Sequence, residues 1–145
     1  MKIELRQIRQ SDFDFAWQLY ELLMKPLTEE LLPWREDRQR AAVQAAFDSR
    51  EAQIILCDGV AAGWLQTHRS DGCLYLGQIY IKPDKQGQGI GTMLVRQLIE
   101  QAGRAGTALT LSVMKNNRAL SFYERLGFFI ESDDRYKFHM KWKAD

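Results

Sequence analysis

A chain of 145 residues with 46% hydrophobic and 27% charged residues is long enough for one domain, residues 1–145, around one core. Its formal net charge of +1, with both signs interspersed, excludes the electrostatic footprint of a nucleic-acid or anionic-membrane binder and fits a compact, local anionic ligand better. Met1-Lys2-Ile3-Glu4-Leu5-Arg6 has no apolar run, no stretch reaches the length of a membrane span, and Cys57 and Cys73 lack metal-ligand spacing, so the expectation is a cytoplasmic protein with reduced thiols and no metal.

Taken in chain order, Lys2 to Arg9 alternates Ile3, Leu5 and, after a slip, Ile8 against polar neighbours and reads as a strand. Ser11-Asp12 then offers an N-cap to a helix carrying Phe15, Ala16, Leu19, Tyr20, Leu22 and Leu23 at helical spacing, which Pro26 closes. Thr28 to Asp37 reads as a polar connection carrying Glu29, Glu30, Glu36 and Asp37 around Pro33 and Trp34. A second helix follows, with Ala42, Val43, Ala46 and Phe47 as its apolar side. Gln53 to Cys57 and Val60 to Thr67, joined at Asp58-Gly59, carry an aspartate-glycine hairpin signal, and Asp71-Gly72 supplies a second turn before Cys73 to Lys82. Three antiparallel strands in a meander are the simplest account.

Pro83 ends the third of these strands, because it cannot donate to a ladder. Beyond Gln86-Gly87-Gln88-Gly89-Ile90-Gly91-Thr92, a helix places Ile90, Leu94, Val95, Leu98, Ile99 and Ala102 on one side and Arg96, Gln97, Glu100, Gln101 and Arg104 opposite. Gly103 and Gly106 mark its end. Leu109, Leu111 and Val113 share one face of the next strand, and a helix from about Arg118 to Leu126 is capped by Asn116 or Asn117 and stopped by Gly127. Phe128 to Glu131, a turn at Ser132-Asp133-Asp134, and a strand alternating Tyr136, Phe138, Met140 and Trp142 with Lys137, His139, Lys141 and Lys143 complete the chain.

The glycine run carries the chemistry. Gly87, Gly89 and Gly91 have no Cβ and tolerate φ > 0, so backbone N–H groups from Gln86 to Thr92 can converge on a phosphate at a helix start, where the helix dipole also favours an anion. Glycines that only make a turn are the competing reading. A Walker A loop is excluded because no lysine precedes Thr92, and a dinucleotide fingerprint fits poorly because Gly89 and Gly91 are only two apart.

The run Gln86 to Gly91 resembles the Gln/Arg-x-x-Gly-x-Gly/Ala acetyl-coenzyme A signature of the GCN5-related N-acetyltransferase (GNAT) superfamily. Asn116, then Ala119 and Phe122-Tyr123-Glu124-Arg125-Leu126-Gly127-Phe128, is similar to the family's second signature, and the order of strands and helices matches along nearly the whole chain. The resemblance implies an α/β (α+β) fold: a mixed, strongly twisted sheet of about six to seven strands flanked by about four helices. It further implies that the strands before the glycine loop and before Asn116 splay apart to admit the pantetheine arm. On that reading the backbone of Ile79, Tyr80 and Ile81 pairs with pantetheine, Gln86 to Thr92 hold the pyrophosphate, and Asn116 contacts the cofactor. Tyr123 then assists the departing thiolate. Counted along a helix, Asn116 and Tyr123 are two turns apart on one face. A phenol of pKa about 10 is a poor acid toward a thiol of about 8.5, so Tyr123 orients more than it donates. A tyrosine packed in the core is the alternative.

The general base is where this chain departs from the family pattern. Many members place a glutamate on one of the splayed strands, and here those positions read Gln78, Tyr80 and Ser112. The branch that acetylates ribosomal-protein N-termini has a glutamate where Ser112 stands, which argues against that substrate. Glu29, Glu30, Glu36, Asp37, His68 and His139 are candidate replacements, each also readable as an ordinary surface residue. Trp17, Tyr20 and Trp34 with the nearby acids suit a cationic acceptor, while the lysines of the last strand suit an acidic one or simply protect a sheet edge. The expected function is direct acetyl transfer from acetyl-CoA, as co-substrate, to a primary amine: a small amine, an amino-acid derivative or a peptide N-terminus. The alternative is a non-catalytic acyl-CoA sensor. A homodimer through the final hairpin is a family-level expectation.

Overall fold

In the computed structural model, which describes residues 1–70 and 72–144, the periodic segments of the sequence form seven strands and four α-helices among the described residues. They are β1 (Ile3–Gln7), α1 (Phe13–Leu31), α2 (Glu36–Asp48), β2 (Ala52–Cys57), β3 (Val60–Ser70), β4 (Cys73–Ile81), α3 (Ile90–Ala105), β5 (Ala108–Met114), α4 (Ala119–Arg125), β6 (Phe129–Asp133) and β7 (Lys137–Trp142). The strands are ordered β1-β2-β3-β4-β5-β7-β6. The chain divides into two compact units, Met1–Thr67 with Gln78–Ile90, and His68–Gly77 with Gly91–Asp145.

In the first unit the apolar faces of α1 and α2 cover Trp64 of β3. That indole is fully buried with Ala16, Trp17, Leu19, Val43, Ala46, Phe47 and Ile54 around it, and its Nε1 donates to the Ala16 carbonyl at 3.2 Å, so its one polar atom is satisfied. The β2–β3 hairpin turns at Asp58 (φ 51°) and Gly59 (φ 82°), the paired left-handed residues a two-residue hairpin requires. Of the second turn, Gly72 has φ 72°, and Asp71 lies outside the described residues.

Two expectations for this unit are corrected. Pro26 lies inside α1 rather than closing it. The hydrogen bond it deletes is the one to Leu22, four residues back, and both residues are exposed, Leu22 at 59%, so the loss falls on the wet side of the helix, which continues. The helix stops instead at Leu32, extended at φ −159° and ψ 162°, the conformation that a following proline, here Pro33, imposes. Glu29 and Glu30 therefore belong to α1, and Glu36 and Asp37 to the first turn of α2. The second correction concerns Asp12, which does not cap α1. Its carboxylate accepts two bonds from Arg6 at 2.9 Å and one from the Arg9 amide at 2.8 Å, and the Arg6 guanidinium holds it below the usual carboxylate range.

Glycine at position 63 sets how β4 lies on β3. The Ala62 carbonyl accepts from Lys82 N at 2.8 Å and the Gln66 side chain from Gln78 at 3.0 Å, an antiparallel progression. A Cβ on Gly63 would sit 2.1 Å from the Tyr80 carbonyl oxygen, a collision with backbone that no rotamer change relieves. Gly63→Ala is expected to lower stability by about 1–3 kcal/mol, read from a urea denaturation midpoint, because β4 must move at Tyr80.

In the second unit β5 is central. It pairs in parallel with β4 from Cys73↔Ala108 to Leu76↔Leu111 and antiparallel with β7 from Leu109↔Trp142 to Met114↔Lys137. Leu109, Leu111 and Val113 face inward with Met140. The stripe Leu94, Val95, Leu98 and Ala102 of α3 is buried, with Arg96, Gln97, Glu100, Gln101 and Arg104 exposed. The last strand is not an edge: β7 lies between β5 and β6, and β6 is the outer strand. Consequently the lysines of β7 are not edge protection; Lys141 pairs with Glu131 of β6 at 3.1 Å. The hairpin turn lies later than Ser132-Asp133-Asp134, because β6 runs to Asp133 and the Asp134 side chain closes the turn on the Tyr136 and Lys137 amides.

Candidate active site

The glycine loop follows β4 through a short 3-10 turn at Pro83–Lys85. Gly87 and Gly89 have φ of 76° and 85°, and an added Cβ at either would meet nothing within 4 Å. The space in front of these residues is therefore open, and only backbone conformation demands glycine there. Gln86 and Gln88 fold back onto the loop: Gln86 Nε2 donates to the Ile81 carbonyl at 2.8 Å and Gln88 Nε2 to the Asp84 carbonyl at 3.1 Å. Their side chains brace the turn. Ile90 is buried and begins α3, with Gly91 and Thr92 in its first turn. An open, braced loop feeding a helix N-terminus is chemically suited to a phosphate or pyrophosphate, and so fits coenzyme A.

Ile79, Tyr80 and Ile81, the expected pantetheine partners, lie on β4 immediately before that loop. Tyr80 belongs to an aromatic cluster, its ring 5.2 Å from Trp64 and 5.4 Å edge-on from Tyr20, with Trp17 and Trp34 at 5.9 and 5.8 Å from Tyr20. Tyr20 donates to Gln39 Oε1 at 2.5 Å, and burial raises its pKa. Trp34 Nε1 is buried and donates to no group among the described residues. Trp17 belongs to the buried core of the first unit, with Tyr20, Trp34 and Tyr80 packed against it, and the Arg40 guanidinium lies over the Trp17 ring at 5.0 Å. Glu29, Glu30, Glu36 and Asp37 are exposed.

The second signature is built by a helix ending. Gly127, at φ 98°, donates to the Glu124 carbonyl at 3.1 Å and Phe128 N to the Tyr123 carbonyl at 3.1 Å, the two reversed bonds of a Schellman stop. That stop brings Phe128 edge-on to Tyr123, ring centres 5.6 Å apart, with Phe122 at 5.1 Å on the other contact. Leu126-Gly127-Phe128 is therefore the device that fixes Tyr123. Tyr123 is buried at 7% exposure, and burial pushes its pKa up to about 12, so it is a neutral hydrogen-bond donor at physiological pH.

Asn117, not Asn116, caps α4, its Oδ1 accepting from Ala119 N at 2.9 Å. The helix begins at Ala119, so Asn116 precedes it and does not share a helical face with Tyr123 as simple counting suggested. Asn116 is engaged by an interaction of its own, and its buried Oδ1 accepts no hydrogen bond among the described residues.

The positions where the family pattern would put a base hold hydrogen-bonded chains. Tyr80 donates to Gln78 Oε1 at 3.1 Å and Gln78 to Gln66. Ser112 Oγ lies 2.7 Å from His139 Nδ1, and His139 Nε2 lies 3.0 Å from Asp134 Oδ2. Sequence reasoning named Ser112 and His139 separately and missed their union and Asp134. The only available signal was the alternation of both strands, which does not give the register that sets Ser112 opposite His139.

The model of the family described as acetyltransferase (GNAT) matches residues 6–128. An uncharacterized N-acetyltransferase of Methanocaldococcus jannaschii is 34% identical over 77 residues, 52% of this chain and 33% of that protein. The thialysine N-epsilon-acetyltransferase of Bos taurus is 41% identical over 56 residues, 37% of this chain and 33% of the relative. The matched stretch thus spans about a third of the length of these curated relatives. Among solved structures, the PaiA N-acetyltransferase of Thermoplasma acidophilum, in complex with coenzyme A, superposes with a TM-score of 0.76 over 99% of this chain and all of that one at 20% identity.

Proposed function

Because the chain belongs to the acetyltransferase (GNAT) family, we propose that it is an acyl-CoA-dependent N-acyltransferase, acting as one domain, that moves an acetyl group from acetyl-CoA to a primary amine. The observation that carries this reading is the braced loop with two left-handed, unobstructed glycines at the start of α3. The names of the matched relatives and the coenzyme A held by the Thermoplasma acidophilum protein support it.

On this reading acetyl-CoA, as co-substrate, supplies the activated acyl carbon. The amides from Gln86 to Thr92 hold its pyrophosphate, and the backbone of Ile79 to Ile81 offers strand-type pairing to its pantetheine amides. Asn116 contacts the same arm. Tyr123 gives a hydrogen bond to the sulfur as negative charge grows there, in surroundings dry enough to make that bond strong. The acceptor nitrogen must arrive without its extra proton to attack the carbonyl, and the aromatic group of Trp17, Tyr20, Trp34 and Tyr80 provides a wall suited to a cationic amine.

The test is incubation of the purified chain with acetyl-CoA and a panel of diamines, amino-acid derivatives and peptides, following free thiol and the mass of each acceptor. Thiol release with a matched gain of one acetyl group on an amine nitrogen is expected. Thiol release without an acetylated amine would instead indicate hydrolysis.

A further inference from the structure

We propose that Ser112, His139 and Asp134 form the proton relay that accepts the acceptor's ammonium proton, with Ser112 the group that touches the amine; this rests on the acyl-transfer reading above. The three side chains lie within the second unit and are joined by register. Ser112 of β5 stands directly opposite His139 of β7, and Asp134 closes the turn that leads into β7. Contacts run from Ser112 Oγ to His139 Nδ1 at 2.7 Å and from His139 Nε2 to Asp134 Oδ2 at 3.0 Å.

The chemistry fixes the direction of the chain. The other oxygen of Asp134 accepts the Tyr136 and Lys137 amides at 2.9 and 2.8 Å, which together favour its ionised form. A carboxylate accepts and cannot donate, so the neutral imidazole carries its hydrogen on Nε2 and presents a lone pair at Nδ1. Ser112 must then be the donor to Nδ1, and its own oxygen keeps lone pairs for an incoming N–H. A proton can enter at Ser112 and pass to His139 Nδ1, while the Asp134 carboxylate holds the Nε2 hydrogen and so the ring's orientation.

The surroundings leave this chain available. Trp142, two pairs along β7 on the opposite face with Met140, would lie 3.5 Å from a Cβ on Gly103 of α3, so α3 packs on the face away from Ser112 and His139. Two of the cations alongside are engaged, Lys115 with Asp133 at 2.6 Å and Lys141 with Glu131 at 3.1 Å, while Lys137, on the same face of β7 as His139, is exposed. The His139 side chain is 39% exposed, enough to return its proton to water.

The step balances. One ammonium proton passes to Ser112 Oγ as the Ser112 hydroxyl proton passes to His139 Nδ1, leaving a neutral amine. Its lone pair forms the C–N bond, the C–S bond breaks with its electron pair on sulfur, and the second nitrogen proton ends on the thiol. His139 releases the first proton to solvent, so the products are the amide, free coenzyme A and one proton.

The experiment compares Ser112→Ala, His139→Gln and Asp134→Asn with the wild-type protein, using the best amine of the panel and methoxyamine, a weak base that is already neutral at pH 7. The acetyl-CoA dissociation constant is measured for each. The relay predicts cofactor affinity within about twofold and kcat with the strongly basic amine lower by about 10² in the first two variants, with the defect largely absent for methoxyamine. It also predicts the Nε2–H tautomer for His139 in nitrogen-15 spectra of the wild-type protein. A purely structural cross-strand pair would give equal losses with both acceptors, and that result, an unchanged kcat or an Nδ1–H tautomer would overturn the relay while leaving the transferase reading intact. A wild-type protein that acetylates neither amine would overturn both.

Discussion

Gly89→Asp is expected to abolish acetyl-CoA binding, weakening it by at least about 10³, while the chain still folds. Two costs combine. At φ 85° any side chain carries a left-handed strain of about 1–2 kcal/mol, and a carboxylate in an anion cradle turns attraction for a pyrophosphate into repulsion in a site built from backbone N–H groups. The open space around this position means no steric clash inside the protein confounds the result. Gly106→Asp supplies the control. Gly106 ends α3 at φ 66° with equally open surroundings, so it takes a similar strain away from the cradle. Calorimetric titration should find its affinity for acetyl-CoA unchanged.

Tyr123→Phe is expected to lower kcat by about 10² with the acetyl-CoA dissociation constant within about twofold. The phenyl ring keeps the packing on Phe122 and Phe128, so only the hydroxyl is lost. A phenol at about 12 is weaker than a thiol at about 8.5 by roughly 3.5 units, about 5 kcal/mol against complete transfer to a free thiolate. Tyr123 therefore works as a hydrogen-bond donor to developing charge. The raised pKa has a second readout. The fold favours the neutral phenol, so its stabilising contribution is complete below about pH 10 and is lost as pH rises toward about 12, a difference of about 2–3 kcal/mol. Between those pH values the wild-type protein should lose more stability than Tyr123→Phe, as followed by chemical denaturation. An unchanged kcat would remove Tyr123 from the reaction.

What was legible in the sequence was local. The loop from Gln86 to Gly91, the buried stripe of α3 and the Tyr123 to Phe128 helix stop each depend on residues within a few positions of one another, and backbone rules of that range read directly from residue type. The failures share the opposite property. Whether Pro26 breaks α1 depends on which side of the helix meets water, and whether Asp12 caps forward or turns back depends on Arg6 lying beside it. That β7 is not an edge strand follows only from the sheet order, which places β6 outside it. The Ser112, His139 and Asp134 chain needed both the β5–β7 register and the later position of the last turn. For Asn116, spacing along the chain suggested a shared helical face only because the helix was counted from too early a residue.

Calorimetric titration of the purified chain with acetyl-CoA tests the central claim most directly, since every assigned role depends on the glycine loop holding that molecule. The account predicts saturable binding at one site per chain that disappears in Gly89→Asp and survives in Gly106→Asp. Absence of binding in the wild-type protein, or equal binding in Gly89→Asp, would contradict it.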